Sequence, residues 1–243
     1  MPLSDGTNAE MESPSPPLGW ASKADLTDVK VYGTKLSPPC AKILLYLRHH
    51  DVPHEFVELG AGKGVTPASS YKKIPVLSAS GRVVNDSFVI LQQLHAALSG
   101  GDYDADLSEQ ITYGLQPSLE CEVFDRAGDF KRLATKAGFP IYFVPAGILH
   151  ALAAAPLSKK IRKKYPAMKP SIDYAKAFKA AMGDAPFHGG NAPSAQDVAY
   201  YGTVVPFQIA CAGNTPSAVD THLEDGGLAD WFGRMKALMP YDA

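Results

Sequence analysis

Residues 29–47 read VKVYGTKLSPPCAKILLYL, and this stretch decides how the first half of the chain folds. Apolar and polar residues alternate over 29–32, which predicts a strand. The apolar residues of the second part recur with helical spacing and share one face: Cys40, Ile43, Leu44 and Leu47. Ser37 stands where the N-cap of that helix belongs, and Pro38 follows at the first helical position. The stretch therefore predicts a strand, a short connection and an amphipathic helix.

The residues that follow continue this alternation. The helix is expected to end before Pro53, because a residue that precedes proline disfavours helical geometry. A second strand is predicted at about 55–59. Two short apolar runs, 74–78 and 83–85, predict an antiparallel hairpin whose first strand opens with proline. A further helix is predicted to begin at Asp86-Ser87.

The order of these elements predicts the fold class. Residues 29–100 outline a thioredoxin-like α/β domain. The predicted order is a strand, a helix, a strand, space for a further helix within 60–73, two antiparallel strands and a final helix. Strand signals then vanish, and helical patterns predict an all-helical domain over 107–243. Residues 1–28 are rich in Ser, Pro, Gly and acidic residues, so we expect a disordered tail there.

Composition excludes several classes of function. The 243 residues contain 23 Lys and Arg against 25 Asp and Glu, which supplies no basic field for nucleic acid. Cys40, Cys121 and Cys211 are too few and too far apart for a disulfide framework or a cysteine-rich zinc site, and we expect no metal site. The first residues lack the basic start and apolar run of a secretory signal. We therefore expect a cytoplasmic protein with a small-molecule substrate.

Two residues at the start of the first helix are candidates for thiol chemistry. A helix N-terminus with free backbone N–H groups favours negative charge, so a thiolate brought to Ser37 would be stabilised there, and the serine hydroxyl adds a donor. The alternative is that Ser37 only caps the helix. Cys40 is either a buried apolar residue or a redox thiol, and its place on the apolar face favours burial.

Two further positions are candidates for binding a peptide-like ligand. A cis bond at Ile74-Pro75 would turn the backbone of Ile74 out of the sheet toward an extended peptide, although an ordinary trans proline is the commoner case. At Asp86-Ser87, free N–H groups and a hydroxyl can hold a carboxylate, and Asp86 can accept from an ammonium group; the alternative is again a helix cap. A thiolate site, a backbone-pairing site and a carboxylate-plus-ammonium site together match the functional groups of glutathione.

The sequence resembles the cytosolic glutathione transferase superfamily and, more narrowly, the membrane-associated prostaglandin E synthase type-2 family. The resemblance covers roughly residues 29–240 and rests on three segments: 69–77, 85–90 and 186–202. It implies the glutathione transferase fold. It also implies that Ile74 pairs with the cysteinyl part of glutathione beside a cis Pro75, and that Asp86 and Ser87 hold the glutamyl end. By the same resemblance, Lys73 neighbours the glycyl carboxylate and Ser37 is the thiolate-activating residue.

One departure from the narrower family decides the predicted reaction. That family carries a CPxC motif where this chain has Ser37-Pro38-Pro39-Cys40. A serine cannot form a mixed disulfide with glutathione, but it can donate a hydrogen bond to its thiolate. We therefore predict a glutathione transferase that conjugates small hydrophobic electrophiles. The alternatives are a prostaglandin endoperoxide isomerase or glutathione peroxidase, and a non-catalytic protein that binds glutathione or haem. Haem enters through the resemblance only, as does the homodimer.

The apolar run 138–158 and the lysines and arginine that follow allow two interpretations. One is an interfacial membrane anchor with a basic flank. The other, which we favour because of the internal prolines, is a core helix that ends in a solvated basic face. We place the second substrate between the domains, against residues near Tyr142–His150.

Overall fold

The computed structural model describes residues 19–59, 67, 73–100 and 103–242. Within these residues the first part of the chain forms a four-stranded mixed sheet in the order β2-β1-β3-β4. β1 pairs with β2 in parallel and with β3 antiparallel, and β3 pairs antiparallel with β4. The strands are β1 (Lys30–Gly33), β2 (Glu55–Glu58), β3 (Val76–Ala79) and β4 (Arg82–Asn85).

Two helices accompany the sheet, and the elements described from residue 105 on are helices apart from an isolated bridge between Phe187 and Gly190. The first two are α1 (Pro38–His49) and α2 (Ser87–Leu98). The later ones are α3 (Ala105–Gln110), α4 (Gln116–Asp125), α5 (Ala127–Lys136), α6 (Ala146–Leu149), α7 (Ala155–Lys164), α8 (Ser171–Met182), α9 (Ala195–Cys211), α10 (Ala218–Asp225) and α11 (Ala229–Leu238). π-Helical turns at Ile111–Leu115 and His150–Ala154 join α3 to α4 and α6 to α7. The predicted fold class, an α/β part followed by a helical part, is confirmed.

Helix α1 is the centre of the molecule. Its predicted apolar face is buried, as expected. The opposite face is buried as well, because α9 packs on it while β1 and α2 lie on the other side. The two helices come close at Gly202, where an added Cβ would lie 2.7 Å from the Cα of Lys42. One continuous apolar cluster therefore joins the two parts of the chain.

The prediction of a disordered tail is wrong for residues 19–28. Trp20 is only 3% exposed and Leu26 only 7%, and both belong to the apolar core. A 3-10 turn at Lys23–Asp25 lies between them. The apolar side chains are too few and too widely spaced to give a periodic pattern, which is why the sequence did not reveal this segment. Residues 1–18 lie outside the described part of the chain, as does most of the segment 60–73.

The prediction of a core helix over 138–158 is also wrong. The segment starts with turns and continues through α6 and a π-helical turn into α7, and its large apolar side chains face outward: Phe143 is 97% exposed and Leu152 77%. The basic residues at the end of α7 are exposed, as expected. Among the described residues, no helix combines the length and the apolar character needed to cross a bilayer.

A capping box begins α9, and its carboxylate makes further contacts. Ser194 and Asp197 exchange the two expected hydrogen bonds. The carboxylate of Asp197 also accepts from the backbone N–H groups of His188 and Gly189 and from the indole N–H of Trp231 at 2.8 Å. A fully buried carboxylate thus ties the loop before α9 to α11.

Candidate functional site

Three loops meet at one edge of the sheet, and the strand register is the reason. Tyr32 near the end of β1 pairs with Val76 at the start of β3, and Val76 pairs with Asn85 at the end of β4. The loop that follows β1, the turn that precedes β3 and the residues that follow β4 therefore lie side by side. These are the segments that carry Ser37, Ile74 and Asp86.

Ser37 occupies the N-cap position of α1, but its hydroxyl does not cap the helix. Its backbone is extended (φ −87°, ψ 119°), and its N–H donates to the carbonyl oxygen of Thr34 at 3.0 Å. The side chain is half-buried. The hydroxyl does not bond to the helix backbone but lies within hydrogen-bond reach of the Cys40 thiol, which weakens the alternative interpretation of Ser37 as a cap alone.

The expectation of free backbone donors at the start of α1 is wrong. Pro38 and Pro39 have no N–H. The N–H of Ser37 is bonded to Thr34, and the N–H of Cys40 donates to the carbonyl oxygen of Ser37 at 3.0 Å. The first turn of α1 therefore keeps its dipole but offers a ligand no backbone donor up to Cys40. The Ser37 hydroxyl is the donor that remains at this helix end.

Cys40 is packed as an apolar residue, which its position on the helix face predicted. Its side chain is fully buried, and an added Cβ at Gly33 would collide with its sulfur. Burial raises the pKa of the Cys40 thiol to about 11, although hydrogen bonds from Ser37 and Thr34 oppose the shift. At neutral pH the group is a protonated thiol out of contact with solvent, so it is poorly suited to the redox role that was the alternative.

The Ile74-Pro75 bond is cis, as the resemblance implied. Pro75 is buried at the start of the hairpin, and Ile74 is half-buried beside Gly33, 3.7 Å from where a Cβ on that glycine would lie. The backbone of Ile74 is outside the strand register, because β3 begins at Val76. Lys73 precedes it and is exposed.

Asp86 and Ser87 form a second polar corner at this edge. Asp86 has φ 70° and ψ 122°, a region that non-glycine residues rarely adopt, and its Oδ1 accepts from the N–H of Phe88 at 2.9 Å. Ser87 is buried, and within the described residues its backbone N–H has no acceptor. The side-chain oxygen of Asn85 is buried without a hydrogen-bond partner. The free N–H group of Ser87 at this helix N-terminus can donate to a carboxylate.

The segment of the helical part that lies beside Asp86 and Ser87 is not the segment Tyr142–His150 that we expected to contact the second substrate. Phe88 of α2 lies against Tyr113 of the first π-helical turn, with ring centroids 6.0 Å apart, and against Tyr103 at 6.5 Å. The segment Tyr142–His150, in contrast, leads into α6, which packs on α5 and on the second π-helical turn. An aromatic second substrate would therefore meet Phe88 and Tyr113 first.

Sequence reasoning missed Lys42. It lies off the predicted apolar face, where an exposed lysine is expected, but α9 covers that face and the side chain is 0% exposed. Its Nζ donates to Oγ1 of Thr112 at 3.1 Å and to Oε1 of Gln116 at 3.4 Å, and Gln116 donates on to Glu120. Burial lowers the pKa of Lys42 to about 8, and the charges of Asp86 and Glu120 oppose the shift. Lys42 thus connects α1 with the helical part.

A serine, a histidine and a glutamate also meet elsewhere, beside a cavity of about 320 Å³ in the helical part. The hydroxyl of Ser171 donates to Oε2 of Glu122 at 2.6 Å, Nδ1 of His222 lies 3.1 Å from that hydroxyl oxygen, and Nε2 lies 3.2 Å from the Tyr200 hydroxyl. Because the Ser171 proton points to the carboxylate, His222 cannot act as its base. The group is a structural link between α4, α8, α9 and α10.

Comparison with known families and proteins agrees with this geometry. Residues 31–102 match the family model described as glutathione S-transferase, N-terminal domain. Over 80 residues the chain is 36% identical to prostaglandin E synthase 2 of Danio rerio, and over 88 residues it is 35% identical to the Mus musculus protein of that name. These alignments cover 31% and 34% of this chain but only 21% and 22% of the relatives, so the match spans about a fifth of their length.

Solved structures match over a longer stretch with low identity. Glutathione transferase F2 of Populus trichocarpa has a TM-score of 0.57 at 14% identity, covering 86% of this chain and 93% of that one. A Pseudomonas fluorescens glutathione S-transferase has a TM-score of 0.53 at 19% identity, covering 88% and 97%. The Tau class enzyme of Mangifera indica has 0.52 at 20%, covering 88% and 93%. Residues 31–102 are therefore similar to the N-terminal domain of glutathione S-transferases, and the chain has the glutathione transferase fold.

Proposed function

We propose that this protein is a glutathione transferase that activates the glutathione thiol for attack on small hydrophobic electrophiles. In this proposal the γ-glutamyl end binds at Asp86 and Ser87, the cysteinyl part pairs with the backbone of Ile74, and Lys73 neighbours the glycyl carboxylate. The thiolate lies against the Ser37 hydroxyl. Phe88 and Tyr113 offer an aromatic surface to the second substrate.

The observation that carries the proposal is the Ser37 hydroxyl at the edge where the three loops meet: it does not cap α1, and its partner in the ligand-free protein is the Cys40 thiol. Because Pro38 and Pro39 remove backbone donors, stabilisation of a thiolate at this helix end depends on that hydroxyl and on the helix dipole. The cis Ile74-Pro75 bond and the unusual backbone of Asp86 support the two other contacts with glutathione.

The proposed reaction needs a glutathione thiolate and an electrophilic substrate that is bound beside it. The thiol proton leaves to solvent, and Ser37 donates a hydrogen bond to the resulting sulfur anion. With a chlorinated aromatic substrate, the sulfur lone pair forms a carbon–sulfur bond and chloride leaves with the electron pair of the carbon–chlorine bond. The rate gain comes from a larger thiolate fraction and from the positioning of the two reactants.

Replacement of Ser37 tests the proposal. Ser37→Ala removes the donor, and we expect kcat/KM for a chlorinated aromatic electrophile to fall about 100-fold, the scale on which one preorganised donor acts. Ser37→Thr keeps a hydroxyl and is the matched control, which should retain most of the activity. Ser37→Cys should exchange conjugation for thiol transfer with a glutathione mixed disulfide. Turnover that is equal in wild type and Ser37→Ala would contradict the proposal.

Prostaglandin endoperoxide isomerisation is the second candidate, and the curated relatives named prostaglandin E synthase 2 favour it. Ser37 argues against it, since the CPxC motif of that family has cysteine there. An endoperoxide substrate with and without glutathione distinguishes the two: isomerisation by wild type, without conjugation of the aromatic electrophile, would favour the second candidate.

Haem and a homodimer remain implications of the resemblance, and a cytoplasmic location remains an expectation from the sequence. The thiol of Cys40, three residues after Ser37, is fully buried and does not fit as a ligand to haem iron. No step of the proposed reaction involves haem. Light scattering of the purified protein measures the oligomeric state directly, and a dimeric mass is the expected result.

A further inference from the structure

The last residues described cross back to the first half of the chain. Residues 239–242, which we call the C-terminal strap, follow α11 without regular secondary structure. Met239 and Tyr241 of the strap are buried and belong to the apolar core. A segment without helix or strand that is buried against the opposite half needs a specific set of contacts.

The strongest of these contacts reaches the loop that carries Ser37. The Tyr241 hydroxyl donates to the carbonyl oxygen of Lys35 at 2.7 Å, a contact between residues 206 positions apart. Lys35 lies in the turn that the Ser37 N–H closes on Thr34 at 3.0 Å. Within the described residues, the hydrogen bonds that hold the backbone of this turn are these two and the bonds from the N–H groups of Cys40 and Ala41 to the carbonyl oxygen of Ser37. One of them comes from the C-terminal strap.

Arg48 anchors the strap at the other end of α1. Its guanidinium lies 6.0 Å from the centre of the Tyr241 ring and donates to the carbonyl oxygen of Pro240 at 3.5 Å. The strap therefore contacts the last turn of α1 through Arg48 and the loop before α1 through Lys35. Both contacts fix the phenol of Tyr241 relative to the start of the helix.

The Tyr241 hydroxyl remains protonated and can therefore donate its hydrogen bond at all pH values of interest. Burial raises the pKa of Tyr241 above its ordinary value, and the nearby Cys40 and Glu58 raise it further. The hydroxyl therefore keeps its proton wherever the enzyme would work. The hydrogen bond to Lys35 places the phenol hydroxyl at the sheet edge where the three loops meet.

We propose that Tyr241 is a positioning residue of the glutathione site: by donating to the Lys35 carbonyl, it holds the turn that presents the Ser37 hydroxyl to the thiolate. The inference rests on the proposed function, and it deepens it by making the C-terminal strap part of the site. Tyr241 acts through Ser37 and does not touch the substrate.

Tyr241→Phe tests this proposal, because it keeps the ring on Arg48 and removes only the hydroxyl. The readout is the pKa of enzyme-bound glutathione thiol, followed by the ultraviolet absorbance of the thiolate across a pH series. We expect this pKa to rise by about half a unit to one unit, which is a three- to tenfold smaller thiolate fraction at neutral pH. kcat should fall by the same factor, while KM for glutathione changes less than about twofold.

Tyr201→Phe is the matched control, since Tyr201 is also a buried tyrosine and its hydroxyl has no hydrogen-bond partner among the described residues. It should leave the thiol pKa unchanged. Arg48→Met, which loosens the strap without removing the phenol, should raise the thiol pKa less than Tyr241→Phe. Amide hydrogen exchange at Ser37 in the glutathione-free protein should accelerate in Tyr241→Phe only.

The outcomes separate this inference from the proposed function. A wild type that forms no glutathione thiolate overturns both. A wild-type thiolate with the same pKa in Tyr241→Phe overturns the role of Tyr241 and leaves the proposed function standing. An equal rise in Tyr201→Phe means that loss of any buried hydroxyl has the effect, and the positioning role is then wrong.

Discussion

At the scale of single residues, chemistry at the start of α1 is decided by which groups can still donate or ionise. Pro38 and Pro39 leave the helix end without backbone donors, so the side chain at position 37 has an unusually large influence. The sequence shows that this side chain is a serine. It does not show that the backbone donors are used up, because this depends on the turn that Thr34 closes.

Thiol reactivity follows from the same local environments. Burial raises the pKa of Cys40 to about 11 and that of Cys211 to about 12, and it raises the pKa of Cys121 as well. Because the thiolate is the nucleophile and all three side chains are buried, we expect no reaction of the native protein with an aromatic disulfide reagent near neutral pH. The same protein in denaturant should release three equivalents, one for each cysteine in the sequence.

Ser37→Cys is the internal control for this prediction. The half-buried position 37 at a helix N-terminus should add one thiol that reacts rapidly in the native state. Rapid reaction of the native wild type would mean that at least one cysteine is more accessible than its packing indicates.

At the scale of elements, the strands, α1, α2 and the capping box of α9 were predictable. Each has a local signal: alternation, an i, i+3, i+4, i+7 pattern, or a Ser and an Asp three residues apart. The segment 138–158 was not, since apolar composition does not reveal which faces neighbouring helices cover. The same limitation hid the burial of Lys42, which depends on α9 more than 150 positions later in the chain.

The close packing of α9 on α1 predicts an unusual sensitivity at Gly202. An alanine there would place its Cβ 2.7 Å from the Cα and 2.8 Å from the N of Lys42, and backbone atoms cannot yield as a flexible side chain can. We expect Gly202→Ala to lower the free energy of unfolding by about 3 kcal/mol, the upper end of the usual cost of overpacking. Urea denaturation measures this value.

Gly233 in α11 provides the matched glycine. An added Cβ there meets nothing within 4 Å, so Gly233→Ala should stabilise the protein by about 0.5–1 kcal/mol through helix propensity alone. If both variants changed stability in the same direction and by the same amount, the close contact between α1 and α9 would not be the cause.

At the scale of the whole molecule, the two parts of the chain are joined by an apolar cluster that contains one buried ammonium group. Lys42 donates to Thr112 and Gln116 in the helical part, and the charges of Asp86 and Glu120 act on it. Burying a charge between two parts is costly unless it is paired. Its hydrogen bonds offset part of that cost, so stability of the whole protein is coupled to the protonation of this one group.

The pH dependence of stability tests that coupling. The folded protein holds the pKa of Lys42 at about 8, below the value of 10.5 for an unperturbed lysine. Between these values the unfolded state binds more protons than the folded state, so the contribution of Lys42 to the unfolding free energy rises with pH. Below about pH 8 the burial of charged Lys42 destabilises the folded protein to its full extent. Lys42→Met removes this group, whereas the tyrosines and cysteines that titrate in the alkaline range are present in both proteins.

We therefore expect the unfolding free energy of wild type, minus that of Lys42→Met, to increase by on the order of 2 kcal/mol between about pH 7 and pH 9.5. Urea denaturation at both pH values gives the four free energies that are needed, provided that unfolding is two-state. Lys176→Met, on the exposed surface of α8, controls for the loss of any lysine. A difference between wild type and Lys42→Met that stays constant with pH would show that Lys42 is not held with a lowered pKa between the two parts of the chain.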